Sequence, residues 1–377
     1  MDAKPEPALR SDDTARYGRH LILPQIGPEG QRRLKAGRVA IVGLGGLGSP
    51  SAMYLAAAGV GSIGLIDGDT VDVSNLQRQV LYGDADVGRP KATVAARRLA
   101  QMNRNVQLLT FPERLTSGNA LEVLGEFDVV LDGSDNFPTR YLVNDAAVML
   151  GLPVVHGSVL RFEGRVSVFG TPDGPCYRCL YPEPPPAGVV QDCSDAGVLG
   201  VLPGIVGVLQ ATEVIKLICA IGDTLAGRLL IVDGLAARFQ SFAVARRADC
   251  PACGTREIRE LIDYDDFCGT RAGPFAMLSP REFERKIAAG AQLLDVREPW
   301  EWAIGHLPNA VLVPLAQLDL QLASLDPDRE TVVYCHRGSR SAVAASQLCA
   351  AGFSRVGHLE GGIDRWSLEV DSSVARY

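Results

Sequence analysis

The chain has 377 residues, a formal net charge of −7 and 47% hydrophobic residues. This length predicts about two or three domains, and the excess of acidic residues argues against nucleic acid or an anionic membrane as a partner. Nine cysteines are too few for a disulfide-stapled secreted scaffold, so we expect reduced thiols. Because residues 1–20 lack the apolar stretch of a signal peptide, we expect a cytoplasmic protein.

From Arg38 onward, short apolar runs alternate with helical patterns. Predicted helices at 49–58 and 91–102 lie among strand-like runs at 39–42, 62–66, 106–111, 129–131 and 154–155. This alternation predicts an α/β fold with a doubly wound, parallel, Rossmann-like sheet. The uncharged stretch 196–212 is interrupted by glycines and a proline, so we expect a buried segment rather than a membrane span.

The composition changes to turn-forming residues at 268–274 (CGTRAGP). We therefore predict a first domain at 1–254, a linker at 255–274 and a smaller α/β domain at 275–377. The second domain has helical patterns at 280–289 and 341–351 and strand-like runs at 292–296 and 331–334.

A glycine-rich loop, GLGGLG, follows the first strand and begins a helix, with Gly43, Gly45 and Gly48 in the G-x-G-x-x-G pattern. In this context backbone N–H groups can approach a phosphate. Asp67 ends the next strand and is suited to bind ribose hydroxyls. The motif alone leaves NAD, FAD and ATP open.

Charged residues after the second strand favour ATP. Arg78, Lys91 and Asp135 could neutralise a triphosphate and hold its magnesium ion, which a nicotinamide cofactor does not require. Spacing alone leaves an alternative open, in which the two cations are solvated surface charges and Asp135 is a helix N-cap.

The segments GLGGLG, SNLQRQ, GRPKA and DGSDN, in this order and spacing, resemble the ubiquitin-activating-like adenylyltransferases that activate molybdopterin-synthase small subunits and related sulfur-carrier proteins. The resemblance covers residues 10–254. It implies that Asp135 holds magnesium with Asn136 beside it, and that Arg19 is an arginine finger delivered across a homodimer. It also implies an ATP site formed by Gly46 at the phosphates, Asp67 at the ribose, and Ser74, Asn75, Arg78 and Lys91 around the triphosphate.

Four cysteines form two C-x-x-C pairs, Cys176 with Cys179 and Cys250 with Cys253. Two such pairs are typical of one tetrahedral zinc ion held by four thiolates. With no position left for water, the zinc would be structural. A redox pair or buried structural thiols are the alternatives, although neither explains both pairs. The adenylyltransferase resemblance implies the same zinc.

Cys335 follows an apolar strand and begins the loop CHRGSR, directly before a helix. The helix N-terminus, the backbone N–H groups and Arg337 and Arg340 all favour a thiolate. Four residues separate Cys335 from Arg340, one fewer than in cysteine-dependent phosphatases. This loop, together with LLDVREPWEW, GHLPNAVLVPL and HLEGGIDRW, resembles a rhodanese domain over residues 275–377, which implies that Cys335 carries a persulfide.

Cys193 lies in the polar segment QDCSDAG, where relatives with sulfur-transfer activity use a cysteine to attack the activated carbonyl or to resolve an acyl disulfide. The alternative is an incidental loop thiol, because some relatives keep a cysteine at this position without needing it. The two resemblances together imply a sequence of reactions. The first domain adenylates the C-terminal glycine of a small ubiquitin-like carrier, and Cys335, loaded by a donor such as a cysteine desulfurase, supplies sulfur for a thiocarboxylate. The carrier could serve molybdopterin, thiamine, cysteine or tRNA thiolation. The rival hypothesis is an NAD- or FAD-linked redox protein with a regulatory rhodanese-like module.

Overall fold

The structure is a computed structural model that describes residues 7–185, 197–269 and 275–377. The chain forms two compact units, the first containing residues 7–184 and 197–267 and the second built from residues 268–269 and 275–377. Each unit has its own sheet and its own helices. The α/β class predicted from the sequence is confirmed.

The first unit is built on an eight-stranded sheet with the order β3-β2-β1-β4-β5-β6-β7-β8. Strands β1 to β5 pair in parallel, whereas β6, β7 and β8 are antiparallel additions. The strands are β1 (Arg38–Val42), β2 (Ser62–Ile66), β3 (Gln107–Phe111), β4 (Val129–Asp132), β5 (Val154–Leu160), β6 (Glu163–Phe169), β7 (Arg228–Asp233) and β8 (Arg238–Ala243).

The five strands predicted from the sequence form the parallel part of this sheet, and the three antiparallel strands that follow them were not predicted. Only residues 161 and 162 separate β5 from β6, and Arg161 has a φ of 54°. A parallel partner would need a crossover of a dozen or more residues, so this tight connection requires an antiparallel hairpin.

Helices cover the sheet of the first unit. Their bounds are α1 (Ser11–Leu21), α2 (Gly27–Ala36), α3 (Gly48–Ala58), α4 (Lys91–Met102), α5 (Ala120–Leu124), α6 (Phe137–Leu150), α7 (Tyr177–Leu180), α8 (Val201–Cys219) and α9 (Tyr264–Phe267). Short 3₁₀ turns lie at Val73–Asn75 and Asp84–Asp86.

Helix α8 passes through the uncharged stretch noted in the sequence. Its Pro203 lies in the first turn, where no helical N–H is lost. A Cβ atom at Gly207 would lie 2.4 Å from the Leu47 carbonyl oxygen, so glycine permits the close approach of α8 to α3. Across this contact the Ser51 hydroxyl donates a hydrogen bond of 2.8 Å to the Gly207 carbonyl.

Among the described residues, α8 is the one helix long and apolar enough to cross a membrane. It packs against α3, β5 and β6, and Leu202, Val206 and Val214 are buried in the core of the first unit. These contacts identify α8 as a core helix, as expected from its glycines.

The second unit contains a five-stranded parallel sheet with the order β11-β10-β12-β13-β9. Its strands are β9 (Ala276–Leu278), β10 (Gln292–Asp295), β11 (Val311–Leu312), β12 (Thr331–Tyr334) and β13 (Val356–Leu359). Its helices are α10 (Pro280–Ala288), α11 (Pro299–Ile304), α12 (Leu318–Gln321), α13 (Ser339–Ala350) and α14 (Gly362–Glu369), with 3₁₀ turns at Leu315–Gln317 and Leu322–Ser324.

A buried ion pair links α6 to α7 in the first unit. The Arg178 guanidinium donates to both carboxylate oxygens of Asp145, at 2.8 and 2.7 Å, and both side chains are at most 4% exposed. The Tyr264 hydroxyl donates to the same carboxylate at 2.7 Å, and the guanidinium lies over the rings of Tyr141 and Phe267. The pair therefore ties α7 and α9 to α6.

We expect Arg178→Ala to lower the free energy of unfolding of the first unit by about 3 to 5 kcal/mol, because Asp145 would keep a buried, unpaired charge. All three tryptophans lie in the second unit, at 300, 302 and 366. In urea, the circular-dichroism transition of the first unit should move to lower concentration while the tryptophan-fluorescence transition stays in place. Arg247→Ala, which breaks the exposed pair with Asp249, is the control and should lower the free energy of unfolding of the first unit by less than about 1 kcal/mol. Equal losses in the two variants would contradict the prediction.

Candidate functional site

A cavity of about 590 Å³ lies in the first unit at the carboxyl ends of β1, β2 and β4. The strand order places β2 on one side of β1 and β4 on the other, which is the switch point where open α/β sheets bind ligands. Among the sequence-predicted residues, the cavity lining contains Gly43, Gly45, Gly46, Asp67, Arg78, Lys91, Asp135 and Asn136.

The glycine loop forms one wall of the cavity. Gly43 has a φ of 86°, and a Cβ atom there would lie 2.9 Å from the Gly133 carbonyl oxygen, so the loops after β1 and β4 come close together. A Cβ atom at Gly48 would lie 1.9 Å from the Gly43 carbonyl oxygen. These two glycines shape the turn into α3, while Gly45 and Gly46 line the cavity.

Asp67 and Lys91 form the side of the cavity next to β2. Both oxygens of the Asp67 carboxylate accept backbone hydrogen bonds, from Leu44 at 2.7 Å and from Asp69 at 2.9 Å. Burial raises the pKa of Asp67 above its ordinary value, although Lys91 acts in the opposite direction. The Lys91 side chain is 7% exposed and its Nζ lies 2.9 Å from the Asp69 carboxylate.

Arg78 lines the cavity, and Ser74 and Asn75 lie in the 3₁₀ turn beside it. Arg78 Nη1 donates to the Ser74 carbonyl at 2.9 Å, and the Ser74 hydroxyl donates to Asp72 at 2.6 Å. Asn75 is buried, and its carbonyl accepts the backbone N–H of Gln79. Ser74 and Asn75 are not among the described residues that line the cavity, and they lie where they support Arg78.

The loop after β4 presents Asp135 to the cavity. Asp132 accepts hydrogen bonds from the backbone and hydroxyl of Ser134, at 3.1 and 2.6 Å, which fixes the turn. Asn136 caps α6 by accepting the Thr139 N–H at 2.9 Å. The cap that the sequence left open for Asp135 is thus made by its neighbour, and the exposed Asp135 carboxylate faces the cavity.

Four charged residues that line the cavity were not predicted from the sequence: Asp69, Glu113, Arg114 and Arg140. Arg140 Nη2 donates to the Ser134 carbonyl at 3.3 Å. The sequence could have indicated Arg140, because it follows Asn136 by four residues and so lies one helical turn beyond the cap. Glu113 and Arg114 follow β3 and reach the same sheet edge as Asp67.

Two predicted catalytic residues lie away from the cavity lining or outside the described chain. Arg19 is an exposed residue of α1 and is not among the described lining residues. Cys193 lies outside the described residues.

The two C-x-x-C pairs come together in the first unit. The four sulfur atoms of Cys176, Cys179, Cys250 and Cys253 lie within 4.8 Å of one another, and all four residues are buried. Tetrahedral zinc with bonds of about 2.3 Å separates its sulfurs by roughly 3.8 Å. The Cys176–Cys250 and Cys179–Cys253 sulfur distances are 3.5 and 3.4 Å, so the cluster can hold one such ion.

We expect Cys250→Ser to lower bound zinc well below one ion per chain and to destabilise the first unit, because a structural metal site contributes to folding. Metal content by mass spectrometry and the circular-dichroism transition test this. Cys219→Ser is the matched control, since Cys219 is also buried in the first unit but donates to the Gly30 carbonyl instead. Full zinc occupancy in Cys250→Ser would show that the two pairs do not share one ion.

In the second unit, Cys335 lies directly after β12 and before α13, as the sequence predicts. Cys335 is fully buried, and the Gly338 backbone N–H donates to its sulfur at 3.1 Å. Gly338 has a φ of 104°, which permits this turn. Burial and nearby Arg337 lower the pKa of His336 to about 4, so its imidazole is neutral at neutral pH.

Arg340 is paired with a buried carboxylate, which the sequence did not indicate. Its Nη1 and Nη2 donate to the two carboxylate oxygens of Glu301, at 2.6 and 2.8 Å, and both side chains are at most 4% exposed. Burial raises the pKa of Glu301, but Arg340 and other donors outweigh burial and leave that pKa below its ordinary value. Arg340 therefore anchors the end of the Cys335 loop.

Two family models match the chain, one over the region that contains the cavity and one over the region that contains Cys335. Residues 17–252 match the ThiF family and residues 279–369 match the rhodanese-like domain. The probable adenylyltransferase/sulfurtransferase MoeZ of Mycobacterium tuberculosis is 45% identical over 99% of this chain and 98% of its own. The sulfur carrier protein adenylyltransferase of Thermus thermophilus is 55% identical over 69% of this chain and 98% of its own.

Adenylyltransferase and sulfurtransferase MOCS3 of Sus scrofa is 47% identical over 84% of this chain and 72% of its own. The crystal structure of E. coli MccB with MccA-N7isoASN shares the fold, with a TM-score of 0.58 and 24% identity over 66% of this chain and 76% of that one. The chain therefore belongs to the ThiF family, carries a C-terminal rhodanese-like domain, and is an adenylyltransferase and sulfurtransferase.

Proposed function

We propose that this protein adenylates the C-terminal glycine carboxylate of a small ubiquitin-like sulfur-carrier protein and then converts it to a thiocarboxylate. The observation that carries the proposal is the presence in one chain of a charged cavity at the β1–β4 switch point and a buried cysteine in a short loop at a helix N-terminus. The relatives named for sulfur-carrier adenylation and for sulfur transfer support the two activities. Adenylation comes first because the carboxylate must be activated before sulfur can replace its oxygen.

In the first step, a carboxylate oxygen of the carrier attacks the α-phosphorus of ATP. The bond from that phosphorus to the bridging oxygen breaks, so pyrophosphate leaves and an acyl adenylate forms. A carboxylate needs this activation because its oxygen is a poor leaving group. In our proposal Gly45 and Gly46 bring the loop close to the phosphates, Arg78 and Lys91 neutralise the departing charge, and Asp67 binds the ribose.

Magnesium and zinc have separate places in this proposal. When bound, magnesium would reduce the negative charge of the phosphates at Asp135, whose carboxylate is a typical ligand for a hard cation. Zinc would be held by the four buried cysteines. Because all four ligand positions would be thiolates, that ion would stabilise the fold and leave no position for catalysis.

In the second step, the terminal sulfur of a Cys335 persulfide attacks the acyl carbonyl and AMP leaves. This forms an acyl disulfide between the carrier and Cys335. A second thiol then attacks the Cys335 sulfur of that disulfide, so that the carrier departs as a thiocarboxylate and the two cysteines become a disulfide. We propose Cys193 for this role, with a cellular dithiol reductant restoring both thiols.

We propose a homodimer in which Arg19 of one subunit reaches the nucleotide of the other, consistent with its exposed position in α1. We also propose a cysteine desulfurase as the sulfur donor and the cytoplasm as the compartment. The acidic net charge gives no reason to expect binding to nucleic acid or membranes.

Mass spectrometry of carriers tests the proposal directly. Candidate carriers from the molybdopterin, thiamine, cysteine and tRNA-thiolation pathways are each incubated with the protein, Mg-ATP and thiosulfate under reducing conditions. We expect one or more to exchange a carboxylate oxygen for sulfur, and the same carrier without its last glycine to remain unchanged. Flavin absorbance in the purified protein without ATP-dependent pyrophosphate release would instead support a redox enzyme.

A further inference from the structure

Tyr377 contacts the beginning of the Cys335 loop. Its ring stacks on the imidazole of His336, with centroids 4.2 Å apart and an interplanar angle of 10°. His336 directly follows Cys335, and its backbone carbonyl accepts the Asp364 N–H at 3.1 Å. The ring of Tyr377 therefore packs against His336, whose position sets the path of the backbone directly after Cys335.

The hydroxyl of Tyr377 connects to the end of the same loop. It donates to Glu301 Oε1 at 2.7 Å and accepts from Arg297 Nη1 at 2.9 Å. Arg297 is fully buried and is paired with Asp295, whose Oδ2 lies 2.6 Å from its Nη2. Glu301 in turn holds Arg340, the last residue of CHRGSR.

A single side chain thus braces both ends of the loop, one by ring stacking and the other through Glu301. The loop between these two contacts has little conformational freedom to compensate for a displacement at either end. Gly338 is in a left-handed conformation, and a Cβ atom at Gly362 would lie 2.2 Å from the His336 carbonyl oxygen. A shift at either end would therefore move the Gly338 N–H that donates to the Cys335 sulfur.

We propose that Tyr377 is a positioning residue for sulfur transfer, which holds the CHRGSR loop at both ends so that the Gly338 backbone N–H stays directed at the Cys335 sulfur. The inference rests on the proposed role of Cys335 as persulfide carrier. Tyr377 acts through His336 and Glu301 and needs no contact with the substrate. It should therefore affect the rate of sulfur transfer more than the affinity for the sulfur donor.

Single-turnover persulfide formation from thiosulfate measures this effect in the full chain. The Cys335 thiolate attacks the sulfane sulfur, the sulfur–sulfur bond of thiosulfate breaks, and sulfite leaves with the electron pair. Tyr377→Phe keeps the ring stack and loses both hydrogen bonds, so we expect a roughly 10-fold slower reaction, and Tyr377→Leu should be roughly 100-fold slower. The thiosulfate concentration at half-maximal rate should change less than about twofold, and pyrophosphate exchange should be unchanged.

Ser279→Ala is the matched control for a general loss of stability in the second unit. It removes a capping box on α10, where the Ser279 hydroxyl lies 2.5 Å from Glu282, and leaves the Cys335 loop intact. Melting temperatures measured by tryptophan fluorescence allow the stabilities of the variants to be compared. If the two variants lose the same amount of melting temperature, persulfide formation should be slow in Tyr377→Phe and as fast as the wild type in Ser279→Ala.

A double-mutant cycle with Glu301→Gln tests the connection through Glu301. If the hydroxyl acts through Glu301, adding Tyr377→Phe to Glu301→Gln should slow the reaction much less than it slows the wild type. Should Glu301→Gln fail to fold, the comparison with Ser279→Ala decides. A wild-type rate in Tyr377→Phe, or equal slowing in both variants at equal stability, would overturn the role of Tyr377. Absence of a persulfide on wild-type Cys335 would instead contradict the proposed function.

Discussion

Cys335→Ala should abolish sulfur transfer and leave adenylation intact. The persulfide needs a sulfur nucleophile, and removing a nucleophile from its reaction costs on the order of 1,000-fold or more. The adenylation cavity is lined by residues of the first unit, whereas Cys335 belongs to the second. Pyrophosphate exchange should therefore stay within about twofold of the wild type, while thiosulfate sulfurtransferase activity and thiocarboxylate formation disappear.

Cys349→Ser is the control, since that cysteine lies in α13 of the same unit and not in the loop. It should retain both activities. If Cys335→Ala also lost pyrophosphate exchange, the thiol would belong to the activation step and the proposed division between the two sites would be wrong. Cys193→Ala should keep pyrophosphate exchange and thiosulfate turnover but accumulate a carrier joined to Cys335, which a reductant would release.

Asp135→Ala should reduce ATP–pyrophosphate exchange by about 100- to 1,000-fold, because it removes the proposed magnesium ligand from the cavity. Thiosulfate turnover at Cys335 should be unaffected and serves as an internal measure of folded protein. Measuring exchange over a range of magnesium concentrations shows whether excess metal restores part of the rate.

The matched control is Asp128→Ala. Asp128 lies just before β4 and pairs with Arg38 at the opposite end of the strand from Asp135. Its removal also deletes one exposed carboxylate from the first unit, yet exchange should stay near the wild-type rate. Near wild-type exchange in Asp135→Ala would contradict the magnesium assignment.

Much of the cavity could be predicted because its signals are local. The glycine loop, Asp67 and the loop after β4 each follow an apolar strand directly, and parallel strands bring their carboxyl ends to one edge of the sheet. The spacing of the two C-x-x-C pairs likewise indicated their association, although 70 residues separate Cys179 from Cys250.

Features that depend on distant partners were not predicted. Glu301 lies 39 residues before Arg340, and nothing near the arginine indicates that its charge is already paired. The strand β8 is exposed along its whole length, so it lacks the apolar pattern by which β1 and β2 were found. Tyr377 had no motif around it, and only its position in the fold connects it to Cys335.

The pairing of Lys91 with Asp69 also bears on how a nucleotide reaches its site. The charged residues lining the cavity are four acidic ones, Asp67, Asp69, Glu113 and Asp135, and four basic ones, Arg78, Lys91, Arg114 and Arg140. These formal charges cancel, so the described lining exerts no strong long-range attraction on anions. The rate of nucleotide binding would then depend little on ionic strength. The cavity would select a nucleotide by short-range contacts, in which a phosphate replaces the Asp69 carboxylate as the partner of Lys91.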